Sequence, residues 1–161
     1  MKNQHNSVLE ESLAGYWDWD IIQNSVYLGP VFKQILGYQE DALIDSVETL
    51  QNLIYPEDSE AFFQKLQEHI NSGGKVPFVV RVRFFHRDGS VVYALSTGRV
   101  TGWQSDGKPL RMTGCIINIT TQHQAEQELK KVQDILAKTN QAAQVGGWEI
   151  DLVTNKTTWT N

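Results

Sequence analysis

One cysteine, four prolines and no long apolar run set the first limits on this 161-residue chain. Cys115 has no partner for an internal disulfide and no cysteine neighbour for zinc, a usage that suits a reducing compartment and makes the cytoplasm the expected location. No window approaches the roughly 20 apolar residues that span a bilayer, and the N-terminal stretch MKNQHNSVLEE has no apolar signal-like segment. Membrane contact by this segment is therefore not expected. Basic residues are also in short supply. Fourteen Lys and Arg stand against 19 Asp and Glu, spread along the chain with no basic stripe, which disfavours nucleic acid as a partner. The four histidines, His5, His69, His86 and His123, fall in a tail, a helix end, a turn and a connector, and no Ser/His/Asp set or metal-ligand spacing accompanies them. Neither catalysis nor a metal is expected of this segment.

What the chain does have is apolar and aromatic content, 40% and 10% of residues, enough for one ordinary core with some structure appended. Residues 1–14, with Val8, Leu9 and Leu13 among polar neighbours, are expected to form a short amphipathic helix. Tyr16 to Ile22 and Ser25 to Leu28 are rich in aromatic and β-branched residues around Gln23-Asn24 and predict a hairpin. Between Val31 and Leu53, short apolar pairs broken by Gly37 and Asp45 predict several short helices. Phe62, Leu66 and Ile70 then recur at helical spacing after Pro56, with acidic residues in the first turn and Gly73-Gly74 as a stop. Phe78 to Phe85, Ser90 to Trp103 and Leu110 to Thr120 alternate as three long strands joined by Asp-Gly turns, an antiparallel meander. The fold class is therefore α+β, with five antiparallel strands, short helices and one long helix.

From Ala125 the residues Ala125, Leu129, Val132, Leu136, Thr139 and Ala143 follow the heptad rhythm of a coiled coil, over about three heptads. A single amphipathic helix packed on its own domain is the alternative. Thr121 and Gln124 fit a capping box at its start. Beyond it, Trp148 to Asn155 aligns without a gap on Trp17 to Asn24, 131 residues earlier, and Gly146 falls on Gly15 in the same register. That offset is one domain plus one helix, so a tandem array is the economical reading. The expected organisation is a domain over 15–120, a linker helix over 121–144, and the start of a second domain over 145–161.

Four motifs carry a resemblance: Trp17-Asp18-Trp19-Asp20, Tyr55-Pro56-Glu57-Asp58, His86-Arg87-Asp88-Gly89-Ser90, and Gly114 through Asn118-Ile119-Thr120. In order and spacing the chain resembles the PAS family, in its tandem sensory-box branch, over about residues 12–120, and again from about 145. The resemblance implies a sensory input module that passes a signal along a helix to an effector, of histidine kinase or diguanylate cyclase type in the parent protein. A ligand-free dimerisation module is the alternative. The family's closing Asp-Ile-Thr stands here as Asn118-Ile119-Thr120, which keeps hydrogen-bonding capacity and loses a charge. No cysteine lies among the middle helices, so the flavin photochemistry of the light-sensing branch is not expected. Haem-binding relatives carry their iron ligand on the long helix, which makes His69 the one candidate ligand, and haem is not expected either. The identity of any cofactor is left open.

Alternate strand residues face opposite sides of a sheet, which divides the meander into two sets. Phe78, Val80, Val82, Phe84, Val92, Ala94, Ser96, Gly98, Met112, Gly114, Ile116 and Asn118 form one, and the resemblance makes this the concave, ligand-binding side. The candidate pocket lining is Phe62, Leu66, Val82, Phe84, Ala94, Ser96, Gly98, Met112, Gly114, Ile116 and Asn118. The small residues Ala94, Ser96, Gly98 and Gly114 suggest a cavity with Ser96 and Asn118 as its orienting groups, unless Phe32, Phe62, Phe63 and Leu66 fill it. The opposite set includes Val79, Val91, Tyr93, Leu95, Cys115 and Ile117, an apolar face that wants a cover. A homodimer through the linker helix and this outer face is the expected assembly. Asp18 and Asp20 are expected at a solvated strand edge.

Overall fold

The computed structural model describes residues 13–145, 148–151 and 156–159, and divides into two units, one ending at Thr121 and one starting at Gln122. The expected helix over residues 1–14 lies outside the described residues except for its end, where Ala14 already opens a strand. The first unit is an antiparallel sheet with helices on one face. Strands β1 (Ala14–Asp20) and β2 (Ser25–Leu28) form the first hairpin, and β3 (Phe78–Phe85), β4 (Val91–Trp103) and β5 (Pro109–Asn118) form the meander, in the order β2-β1-β5-β4-β3. Helices α1 (Pro30–Ile35), α2 (Val47–Leu53) and α3 (Pro56–Asn71) lie between the two groups in sequence, with a single 3₁₀ turn at Glu40–Ala42.

Local chemistry sets these boundaries. Pro30 and Pro56 open α1 and α3 at positions where the missing N–H costs nothing and φ is already helical. Ser46 starts α2 by accepting the Thr49 N–H at 3.0 Å. Gly73 and Gly74, at φ 65° and 81°, stop α3 in the left-handed region that glycine enters freely. The segment between α1 and α2 is pinned by Lys33, whose Nζ donates to Glu40 O at 2.9 Å and meets Asp45 Oδ1 at 3.0 Å while its side chain is 7% exposed.

The inner face of the sheet and the helices enclose the core. Phe78, Val82, Phe84, Val92, Ala94, Ser96, Met112 and Ile116 are buried there, and Val79, Arg81, Phe85, Arg99 and Arg111 on the opposite face are exposed, as the period of two requires. Aromatic rings tie the layers edge to face: Phe32 against Phe84 at 6.0 Å, Phe62 against Phe78 at 5.3 Å and Trp17 against Phe78 at 6.4 Å. Such pairs add about 0.5–1.5 kcal/mol each beyond the area they bury.

Two expectations about strand ends need correction. β1 is not an edge strand, because β2 and β5 flank it. Asp18 is accordingly buried: it takes the Arg111 guanidinium through Nε at 2.7 Å and Nη2 at 2.8 Å, and accepts the Tyr16 hydroxyl at 2.7 Å. The third long strand also ends earlier than its apolar pattern suggests. β5 stops at Asn118 and helix α4 (Thr120–Val145) begins two residues later, ahead of the expected capping box at Thr121. Asn118 Oδ1 accepts the Thr120 N–H at 3.0 Å and the Thr120 hydroxyl at 2.7 Å.

In the second unit α4 runs unbroken, with Leu129, Val132, Ile135 and Leu136 exposed. The strands β6 (Trp148–Asp151) and β7 (Lys156–Trp159) pair as a hairpin in which Trp148 faces Trp159 and Asp151 faces Lys156. In the first hairpin Trp17 faces Leu28 and Asp20 faces Ser25. Each pairing of one hairpin lies 131 residues from its counterpart in the other, so the sequence repeat is also a repeat of strand register.

Candidate functional site

A cavity of about 40 Å³ lies between the inner sheet face and helices α2 and α3. The five strands and the three α-helices of the domain all contribute to its wall: Trp17 and Trp19 from β1, Val26 from β2, Phe32 from α1, Val47, Leu50 and Gln51 from α2, Phe62, Phe63 and Leu66 from α3, Phe78 and Phe84 from β3, Ser96 from β4 and Ile116 from β5. Gln51 and Ser96 are its polar side chains apart from the indoles of Trp17 and Trp19, and no charged group lines it.

Of the residues expected to line a pocket, Phe62, Leu66, Phe84, Ser96 and Ile116 do line this cavity. Val82, Ala94 and Met112 are fully buried on the same side of the sheet, packed into the core and away from the cavity wall. Gly98 and Gly114 do not contribute open space. Trp17 lies across both: a β-carbon on Gly98 would stand 2.7 Å from indole carbons Cζ2 and Cη2, and one on Gly114 would collide with Cζ2 and with the Thr97 carbonyl. The small residues of the meander thus make room for a tryptophan from another strand. Asn118 is absent from the cavity because its amide oxygen is engaged by Thr120.

Sequence reasoning missed the two tryptophans as wall residues. Their signal was the same alternation used for the meander: Gly15, Trp17 and Trp19 share one face of β1, and Tyr16, Asp18 and Asp20 share the other.

His69 is 2% exposed, and both of its ring nitrogens are committed to backbone. Nδ1–H donates to Val76 O at 2.6 Å and Nε2 accepts the Val100 N–H at 3.1 Å. Each backbone partner has one possible role, which fixes the neutral Nδ1–H tautomer. An iron ligand needs a free ring lone pair, so His69 in this arrangement is a structural bridge from α3 to β4 and to the segment before β3.

The Tyr55-Pro56-Glu57-Asp58 motif closes the exposed side of β3. β3 is an edge of the sheet. Tyr55 N–H donates to Arg83 O at 2.9 Å, and Asp58 accepts Arg83 through the backbone N–H at 2.8 Å, Nε at 3.0 Å and Nη2 at 2.6 Å. The Arg83 guanidinium also stacks 4.6 Å above the Tyr55 ring. The Arg83 side chain holds the Asp58 carboxyl below the usual carboxylate range, against an opposing contribution from burial. Helix start and strand edge are thereby joined at Arg83, whose backbone N–H and C=O are both paired and so are not open to a foreign strand.

At the far end of the sheet, Tyr93 N–H donates to the Thr120 hydroxyl at 3.1 Å and Tyr93 O accepts the Ile119 N–H at 2.8 Å. Together with Asn118 these bonds fasten the first residue of α4 to β4 and β5.

The family model described as the PAS fold matches residues 25–116. The chain belongs to the PAS fold family. It is 30% identical over 126 residues to a probable diguanylate cyclase, DgcE, of Escherichia coli, an alignment covering 78% of this chain and 11% of that protein. The chain thus spans about a tenth of that relative's length. A crystal structure of a sensory box histidine kinase/response regulator from Burkholderia thailandensis is similar at 28% identity and a TM-score of 0.69, covering 84% of this chain and 99% of that one. An RNA-binding light-oxygen-voltage receptor is similar at 15% identity and a TM-score of 0.57, covering 82% of this chain and 35% of that one, which shows the shared fold alone. Among the described residues no helix is long and apolar enough to cross a membrane, and no group of His, Cys, Asp and Glu is placed to hold a metal ion.

Proposed function

We propose that this chain is a signal-input segment of a longer cytoplasmic sensor protein, whose output domain is of the histidine kinase or diguanylate cyclase type. A small ligand enters the cavity under α2, the sheet responds, and the change reaches α4 through the β5–α4 junction. Two copies pair through the α4 stripe of Leu129, Val132 and Leu136 and through the outer sheet face. The hairpin at Trp148–Trp159 starts a second domain of the same kind.

The observation that carries this reading is the junction itself: Asn118, Thr120 and Tyr93 join strands β4 and β5 to the first turn of α4 by hydrogen bonds. A displacement of β4 or β5 has a short covalent and hydrogen-bonded path to the helix. Relatives with kinase and cyclase outputs, and the repeated hairpin register, support the placement upstream of an effector.

One observation favours the second reading, a ligand-free dimerisation module. The cavity of about 40 Å³ is far below the roughly 300 Å³ at which ligand pockets begin. Amide hydrogen exchange separates the two. The sensory reading expects Asn118→Ala to leave the sheet protected while accelerating exchange over residues 120–125 by about tenfold, and expects a bound ligand to change exchange at those same amides. Exchange at 120–125 that ignores both the substitution and occupancy of the cavity removes the relay and leaves the scaffold.

A further inference from the structure

The following rests on the reading of the cavity as a ligand site and names the chemistry it would take. Although Gln51 and Ser96 belong to the wall, the surface that the cavity presents is wholly apolar. A held water needs about two to four polar partners, so this space stays dry. Aromatic side chains form much of the wall. Phe62 stands edge to face against Phe78 at 5.3 Å and against Phe63 at 5.5 Å, and Phe32 meets Phe84 in the same way at 6.0 Å. Rings held in such pairs are stiff and planar, and do not bend into a gap as an aliphatic side chain does. The carbons that face the cavity therefore lack the dispersion partners that a close-packed interior supplies.

We propose that the cavity takes a small aliphatic hydrocarbon of a few heavy atoms, a ligand with no hydrogen-bonding group. The chemistry follows from the surface: a hydroxyl, amine or carbonyl carried inside would give up its water and find no partner, and a charge would cost more still. A hydrocarbon leaves nothing unpaired and supplies the contacts that the ring carbons lack. Size follows from the volume. About 40 Å³ is a few times the space one water needs and well below the roughly 150 Å³ of an apolar cavity that admits benzene, so a short aliphatic chain fits where an aromatic ring does not. The way in is at α2, where Gln51 is exposed and Val47 and Leu50 are only partly covered, whereas Phe78, Phe84, Ser96 and Ile116 on the sheet side are buried.

The test uses the intact chain and two probes with the same number of heavy atoms, propane and ethanol, at equal concentration. The readout is the methyl ¹H–¹³C spectrum, in which Val26, Leu50, Leu66 and Ile116 report on the cavity. Propane is expected to shift these signals saturably while leaving Val79 and Ile117 on the outer sheet face unmoved, and ethanol to bind about tenfold more weakly or less. Val26→Ile, which adds one methylene group to the wall, is expected to weaken propane severalfold. Ethanol that binds as tightly as propane at the same methyl groups would overturn the assignment, since it requires a polar anchor, and would leave the cavity as a ligand site. Propane shifts that spread over surface methyl groups without saturating would overturn it as well. If neither probe moves any cavity signal, the ligand class assigned here is wrong, while the signal-input reading is decided separately by exchange at the start of α4. The titration of the unsubstituted chain carries the result, so the test stands even where Val26→Ile does not fold.

Discussion

Trp17 occupies the space in front of Gly98, with indole carbons 2.7 Å from where a β-carbon on that glycine would stand. The Thr113 carbonyl is 3.0 Å from the same point, so neither side of the position has room. Gly98→Ala is expected to destabilise the domain by about 1–3 kcal/mol, the cost of forcing extra volume into a packed site. Gly98→Leu should cost more. Trp17→Ala removes a buried ring from the same contact and is expected to cost about 3–5 kcal/mol. Urea midpoints measure all three. In the double variant Trp17→Ala, Gly98→Ala the alanine at 98 should cost less than it does alone, because the atoms it strikes are gone. Additive losses would show that the indole is not what excludes a side chain at Gly98.

Asp58 and Arg83 give the domain a defined acid sensitivity. Arg83 holds the folded-state pKa of Asp58 below the ordinary value of 3.8, so the stabilisation is complete above that value and drains away as pH falls through the lower, folded one. Asp58→Asn keeps the shape, loses the charge, and is expected to cost about 1–3 kcal/mol at pH 7. The gap between variant and parent should narrow as the pH drops below 3.8 and the parent's carboxyl is protonated. Denaturation at pH 7, 5 and 3 reads this. A gap that is constant across the three would mean that the charge of Asp58 contributes nothing.

His69 is expected to act as a buried bridge. His69→Phe fills similar space but leaves the Val76 carbonyl and the Val100 N–H without their partner, at a cost of about 1–3 kcal/mol for each buried group left unpaired. Haemin added to the parent should give no Soret band that depends on this residue. A Soret band abolished by His69→Ala would show that the ring leaves both backbone partners to reach iron.

The period-two alternation made the meander, its inner and outer faces and its turn chemistry legible, and the heptad spacing made a long terminal helix legible. Contacts between distant segments were not. The pattern places Gly98 and Gly114 on the inner face but says nothing of which side chain comes to cover them, because Trp17 arrives through the pairing of β1 with β5, about a hundred residues apart in sequence. Asp18 read as solvated for the same reason: its partner Arg111 is on β5, and only the strand order β2-β1-β5 brings them together. Lys33 was not singled out at all, because its burial depends on how the Glu40–Asp45 segment folds back over it. Asn118 kept its place in the strand alternation up to the last residue, and it was the local competition of its amide for the Thr120 N–H that turned it from the cavity.

Leu129, Val132, Ile135 and Leu136 are exposed along α4, and pairing of this stripe with a second copy is the proposed assembly. About three heptads make a weak isolated coiled coil, and in the proposed dimer the partly covered Tyr93, Leu95 and Ile117 on the outer sheet face would add apolar area. Light scattering on the intact chain and on the double variant Leu129→Asp, Leu136→Asp tests this directly. The expected result is a dimer populated at micromolar concentration for the parent and a monomer for the variant, with the sheet intact in both. A parent that is monomeric, or a variant that is equally dimeric, would contradict it.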